Sequence, residues 1–157
     1  MSEYTPYVAG VVSVWEFGRW HLKNVLKDLT PEQLAKVPAG LTNSIATLVV
    51  HIAATELSIA SQIKGEPLSD ELRREYLLDQ PHSPLPAPAG ETVESLYAKL
   101  DKAGAYLTQV LKSLTEADLK REVSFFRGPA PITKPLSLLP HHQAEPVGQI
   151  IMIKKLI

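Results

Sequence analysis

One nine-residue segment occurs twice in this chain, and the repeat constrains the fold more than any other feature. Residues 26–34 read LKDLTPEQL, and residues 111–119 read LKSLTEADL. Each copy ends a long stretch in which apolar residues recur at steps of three and four, the pattern of a helix with one buried face. Each copy also carries a threonine suited to capping a short second helix. The repeat therefore predicts two similar helical hairpins.

Four long helices are expected from this arrangement. Thr30 and Gln33 form a capping box around Pro31, which ends the first long helix and opens a short one. The fourth helix, the counterpart of the second, is predicted to begin near Thr133. The buried face of the first helix is predicted to comprise Val11, Val14, Trp15, Gly18, Leu22, Val25, Leu26 and Leu29. The first three helices are predicted over 5–29, from about 44 to 65, and from 92 to about 114.

The connecting segments fit an all-α bundle. Residues 80–90 carry four prolines, which exclude regular structure and suit a crossing loop. A short helix is predicted within 69–78, and the only strand-like stretch is a brief extended piece at 123–126. The sequence thus predicts a four-helix bundle built from two helical hairpins.

Length and composition narrow the classes of function. The 157 residues suit one domain spanning 1–157, and 16 basic against 17 acidic residues leave no basic cluster for nucleic acid. The absence of cysteine excludes disulfides, thiolate zinc sites and a cysteine nucleophile, so any metal needs His and carboxylate ligands. No signal-peptide pattern and no apolar run of about 18 residues is present, so a cytoplasmic protein without a membrane partner is expected.

His51 is the most constrained of the five histidines because it lies in the most apolar stretch of the chain. A buried imidazole needs a polar partner, which is either a hydrogen-bonding neighbour or a shared metal ion. Thr42 precedes His51 by nine residues, and Thr133 precedes His142 by nine. The two histidines are therefore predicted to face each other at equal depth. The remaining candidates, His21 and His82, are expected to be solvated or packed at an edge.

These residues resemble a known family. The stretch from Asn43 through His51 to Glu56, followed by His142 and by Gly148-Gln149-Ile150, is similar to the DinB/YfiT superfamily over nearly the whole chain. The resemblance implies a four-helix bundle, usually dimeric, that holds a divalent metal with one His from helix 2 and two from helix 4. Family members include thiol-dependent transferases and isomerases and metal-dependent hydrolases. The resemblance assigns His51 and His142 as ligands.

The third ligand position departs from the family pattern, since Pro146 stands where a histidine is expected. With Pro140 upstream, a continuous helix through 140–146 is not expected, and the helix is predicted to restart near Glu145. Glu145 is the candidate third ligand, which completes a two-His, one-carboxylate set suited to Zn, Fe or Mn, and nickel is also considered. His141 is an alternative to His142. Glu56 is expected to be structural.

Two functions are expected from this reading. The first is a divalent-metal-dependent enzyme, a thiol-dependent S-transferase or hydrolase, acting on a small molecule or a low-molecular-weight thiol. The second is a metal-free, dimeric bundle that serves as a binding or structural protein, which Pro146 favours. Both expect a homodimer, since an apolar stripe at the end of the chain suits a dimer seam, namely Ile150, Ile151, Ile153, Leu156 and Ile157.

Overall fold

A computed structural model describes residues 3–81, 83–125 and 128–157. Four long helices dominate it, as the sequence predicts, and shorter elements connect them. Two short strands, β1 and β2, pair antiparallel just before the last helix. The elements in chain order are α1 (Pro6–Leu26), α2 (Pro31–Ala35), α3 (Ile45–Lys64), α4 (Asp70–Glu75), α5 (Val93–Ser113), a 3₁₀ turn (Asp118–Lys120), β1 (Glu122–Phe125), β2 (Gly128–Pro131) and α6 (Thr133–Lys154).

The first helix is shorter than predicted and turns a different face inward. It ends at Leu26 rather than Leu29, because Asp28 adopts a positive φ of 67° and the chain then becomes extended to cap α2 at Thr30. Val14, predicted to be buried, is 58% exposed. The face that α1 does bury comprises Val8, Val12, Trp15, Arg19, Leu22 and Leu26.

The repeated segment forms the same local structure twice. The Thr30 side chain accepts from Gln33 N, and the Gln33 side chain accepts from Thr30 N, which confirms the capping box. Thr115 and Asp118 make the equivalent reciprocal pair in the second copy. The second copy opens a 3₁₀ turn rather than an α-helix.

Side-chain contacts fix the directions of the long helices. α1 and α6 run parallel, because Tyr7 Oη donates to the Thr133 carbonyl at one end and Lys154 Nζ donates to the Val25 carbonyl at the other. α1 and α5 run antiparallel, since Lys23 pairs with Asp101 and Glu3 pairs with Lys112. The helices thus enclose one bundle whose most apolar member is α3. By length and composition α3 is the one helix, within the described residues, that could span a membrane, but most of it is buried among the other helices.

The predicted break in the last helix is wrong. α6 is continuous from Thr133 to Lys154 with Pro140 and Pro146 inside it, so it does not restart near Glu145. An interior proline costs about 3 kcal/mol, whereas each fully buried aliphatic side chain contributes roughly 1.5–3 kcal/mol. Core packing along α6 therefore outweighs both prolines, through Leu136, Leu139, Val147, Ile150 and Ile153.

Candidate metal centre

His51 and His142 meet between α3 and α6, which confirms that the two histidines face each other. Their Nε2 atoms lie 3.0 Å apart, and the ring centroids are 4.8 Å apart with the planes at 56°. Both side chains are half-buried. The two rings meet across corresponding helices, since α3 and α6 are the second long helices of the two repeated hairpins.

The surroundings of His142 favour its neutral form. Burial lowers the pKa of His142, and this effect outweighs the raising effect of Glu145, while His141 lowers that pKa further. Thr55, one turn beyond His51 on α3, lies with its hydroxyl 3.5 Å from His142 Nε2. A neutral imidazole is the form that accepts a hydrogen bond or binds a metal ion.

The geometry of the two rings fits a shared cation. Two imidazole nitrogens bound to one tetrahedral zinc at 2.0–2.1 Å would lie about 3.4 Å apart. The observed separation of 3.0 Å is close to this value, so a slight opening of the pair admits an ion. The same two atoms are close enough to share a hydrogen bond directly, with one ring as donor and the other as acceptor.

The other predicted ligands, Glu145 and His141, are on the exposed side of α6. They contact each other, with His141 Nε2 3.6 Å from Glu145 Oε1. Pro146 is buried one helical turn after His142. Within residues 3–81, 83–125 and 128–157, no three His, Asp or Glu side chains are grouped so as to hold a metal. The role of Glu145 as third ligand thus remains a prediction. His21 is half-buried on α1, and His82 lies outside the described residues.

Glu56 belongs to a separate buried network that joins three helices. Its carboxylate accepts from Trp15 Nε1 at 2.8 Å and from Arg19 Nη1 at 2.7 and 2.9 Å. Arg19 also donates to the Leu100 carbonyl on α5. Burial raises the pKa of Glu56 against the lowering effect of Arg19 and Trp15. Glu56 is therefore structural, as predicted.

The sequence analysis missed Arg19, although a signal was present. Arg19 lies four residues after Trp15 on the side of α1 that faces the core, so it shares a helical face with that tryptophan. Gly104 on α5 supplies the space, since a Cβ there would lie 2.9 Å from the Arg19 guanidinium. A buried arginine beside a glycine on a neighbouring helix is a pairing that only the bundle geometry shows.

A cavity of about 380 Å³ opens beside the two imidazoles. Its volume lies in the range of small-molecule sites, and it combines apolar walls with a few polar side chains. The lining residues are His51, Ala54, Thr55, Ser58, Ile59, Gln62, Leu78, Phe125, Leu138 and His142.

Comparison with known proteins agrees with this fold. The DinB superfamily model matches residues 15–150, which is most of the chain. The chain belongs to the DinB superfamily. The predicted membership of this superfamily is thereby confirmed. No curated protein matches.

Three solved structures illustrate the shared DinB fold. A DinB-like protein from Bacillus cereus is 19% identical, with a TM-score of 0.69 and coverage of 94% of this chain and 90% of that one. A conserved protein from Enterococcus faecalis is 17% identical, with a TM-score of 0.71 and 94% coverage of both chains. A DinB-like protein from Bacillus subtilis is 19% identical, with a TM-score of 0.61 and coverage of 95% and 90%. At these identities the likeness shows the bundle fold alone.

Proposed function

We propose that this protein is a divalent-metal-dependent enzyme of the DinB class, either a thiol-dependent S-transferase or a hydrolase. The 3.0 Å approach of the two Nε2 atoms at the edge of a ligand-sized cavity carries the proposal. A half-buried imidazole pair that serves only as packing has no need of an adjoining cavity. A catalytic metal site needs protein ligands beside an open position for the substrate, and the pair with its cavity supplies two ligands and that open position.

The chain's own residues have distinct roles in this proposal. His51 and His142 hold the ion, and Glu145 is the proposed third ligand. A bound zinc, nickel, iron or manganese ion would lower the pKa of a bound water or thiol and so supply a nucleophile to a chain without cysteine. The Thr55 hydroxyl lies near His142 Nε2 and is placed to orient that nucleophile.

Pro146 supports a second candidate function, a metal-free dimeric bundle that binds a partner or serves as a structural protein. The family pattern has a histidine ligand at this position, and the buried proline ring supplies none. Both rings are half-buried and their Nε2 atoms lie at hydrogen-bonding distance, so His51 and His142 can bond to each other directly without a metal ion. In this alternative the two histidines stabilise the contact between α3 and α6 and nothing more.

A homodimer is part of both candidates, and the exposed side of α1 supports it. Tyr7, Val14 and Phe17 follow heptad-like spacing there, and Trp20 stacks beside Phe17 with ring centroids 5.6 Å apart. Val14, Phe17 and Trp20 are 58%, 66% and 61% exposed. Aromatic side chains carry about 150–250 Å² each, so this face offers roughly 400 Å² of apolar surface. A stable dimer buries about 800 Å² per partner, roughly 65% of it apolar.

The expected stripe at the end of α6 contributes less to such a dimer. Ile150 and Ile153 are buried in the bundle core, and Leu156 is exposed. The proposed dimer seam is therefore centred on α1. We further propose a cytoplasmic location, in line with the absence of cysteine.

Metal content separates the two candidate functions. The native chain, purified without an affinity tag and without chelators, is analysed for zinc, nickel, iron and manganese by mass spectrometry. The enzyme proposal expects a divalent metal at a substoichiometric ratio that His51→Ala removes. The same ratio in native protein and in His51→Ala, or none after dialysis against each metal, supports the metal-free alternative.

A further inference from the structure

The cavity beside the imidazole pair has two unlike sides. Its polar side lies on α3, where Thr55, Ser58 and Gln62 follow His51 at steps that keep all four on one helical face. The three residues are called the polar edge below. The rest of the wall is apolar and comprises Ala54, Ile59, Leu78, Phe125 and Leu138.

Two side chains of the polar edge, Ser58 and Gln62, are available to form hydrogen bonds with a ligand. Thr55 lies 3.5 Å from His142 Nε2, but the Ser58 hydroxyl and the Gln62 amide bond to no residue in the described part of the chain. Ser58 is half-buried, and Gln62 is exposed where the cavity opens outward. A half-buried hydroxyl in an apolar cavity gains from a hydrogen-bonding ligand. The free groups therefore point to a ligand that lies along α3.

Helix geometry sets the length of that ligand. Thr55 and Gln62 are seven residues apart, which corresponds to roughly 10.5 Å along the helix axis. A molecule that reaches both must be elongated, with one end at the imidazoles. A charged group on it would face the apolar side and lose hydration without a partner of opposite charge. An amide or hydroxyl would instead bond to Ser58 or Gln62.

We propose that this cavity binds an elongated, uncharged molecule with amide or hydroxyl groups along one edge and an aromatic or aliphatic opposite edge. This inference rests on the proposed function, because it places the reacting end of the substrate at His51 and His142. Hydrogen bonds to the polar edge fix the position of the molecule along α3. The apolar side of the cavity favours a ligand whose body carries no charge. Ser58 is a positioning residue for this ligand.

The test uses two probes of the same shape, 2-naphthamide and 2-naphthoate. Each is titrated into the full chain in the presence of a chelator, and backbone amide shifts are followed by nuclear magnetic resonance. We expect 2-naphthamide to bind at least tenfold more tightly than 2-naphthoate and to shift the signals of Thr55, Ser58 and Gln62. Equal or tighter binding of 2-naphthoate, shifts confined to other surfaces, or no binding would overturn the proposal.

Variants of neighbouring serines locate the interaction. Ser58→Ala should weaken 2-naphthamide binding at least threefold, and Ser58→Lys should reverse the preference in favour of 2-naphthoate. Ser61→Ala is the matched control, because the Ser61 hydroxyl already donates to the Glu66 carbonyl and lines the neighbouring cleft. Unchanged binding in both Ser58 variants contradicts the proposal.

One further variant separates this inference from the proposed function. His51→Ala should abolish zinc binding, and 2-naphthamide should still shift the amide signals of Ser58 and Gln62 at the other end of the cavity. Zinc binding by the native chain without 2-naphthamide binding would refute the ligand class alone. Binding of 2-naphthamide without any zinc binding would refute the metal-dependent function and leave the ligand class standing.

Discussion

Gly18 on α1 lies directly beneath the side-chain amide of Gln143 on α6. A Cβ at position 18 would overlap that amide, so a larger residue fits only if the Gln143 side chain moves. The buried Gln143 amide donates to the Trp15 carbonyl at 3.1 Å and accepts from Arg19 N at 3.3 Å. Gln143 follows His142 directly, so this contact holds the α6 backbone beside the imidazole pair against α1.

Replacing Gly18 with alanine should destabilise the protein. The added methyl group displaces Gln143 from its two backbone partners, at a cost of roughly 1–3 kcal/mol in the free energy of unfolding. Gly10→Ala is the matched control, since a Cβ there meets nothing within 4 Å and alanine favours the helix by about 0.5–1 kcal/mol. Urea unfolding followed by circular dichroism measures both. Equal effects of the two substitutions would disprove the packing role of Gly18.

Truncation of Glu56 should be among the most damaging single changes. Glu56→Ala removes the carboxylate closest to the buried Arg19, leaving only the 3.5 Å contact with Asp101, and it leaves Trp15 without its acceptor, which together cost roughly 3–5 kcal/mol. Glu16→Ala, at an exposed position on α1, should change stability by less than about 0.5 kcal/mol. Thermal or urea unfolding checks both, and a cost at position 56 as small as at position 16 contradicts the network.

The same carboxylate should give stability a defined pH dependence. Because burial raises the pKa of Glu56 in the folded state, the folded protein holds this proton to higher pH than the unfolded chain. The contribution of Glu56 is therefore fully present below the ordinary value of 4.5 and is lost as the pH rises through the raised pKa. The difference in unfolding free energy between native protein and Glu56→Gln should fall over that range, and a difference that rises would show a lowered pKa.

The dimer proposal makes α1 the sensitive surface. Phe17→Glu places a charge in the exposed apolar face and should convert the dimer into a monomer of 17.3 kDa. Gln109→Glu adds the same charge at an exposed position on α5 and should leave the dimer intact. Sedimentation velocity over a range of concentrations distinguishes them. A native chain that is monomeric at all concentrations refutes the homodimer.

The sequence predicted local structure well because the relevant signals are local. Thr30, Thr92 and Ser44 cap helices in the structure as their positions indicated, and the equal spacing before His51 and His142 predicted a contact between residues 91 positions apart. That spacing was informative because α3 and α6 are the second long helices of the two hairpins, although α3 begins at Ile45, three residues after Thr42, whereas α6 begins at Thr133 itself.

Features that depend on packing between helices were not predictable in the same way. Helix propensity indicated a break at Pro140 and Pro146, but core contacts along α6 override it. The buried face of α1 includes Arg19 and excludes Val14, because Glu56 from α3 and Gly104 from α5 create a polar niche that no pattern within α1 encodes. The polar edge with Ser58 and Gln62 was likewise not predictable from α3 alone. It becomes part of a cavity only because apolar residues of other elements, such as Leu138, lie across from it.

Calorimetric titration of zinc into the native chain and into Pro146→His tests the metal centre most directly. Position 146 lies one turn after His142, so a histidine there adds a third imidazole on the same side of α6. We predict weak binding to the native chain and at least tenfold tighter binding to the variant, about 1.4 kcal/mol. Unchanged affinity in Pro146→His would contradict the ligand set centred on His51 and His142, and tight stoichiometric binding already in the native chain would contradict the claim that Pro146 leaves the site short of a ligand.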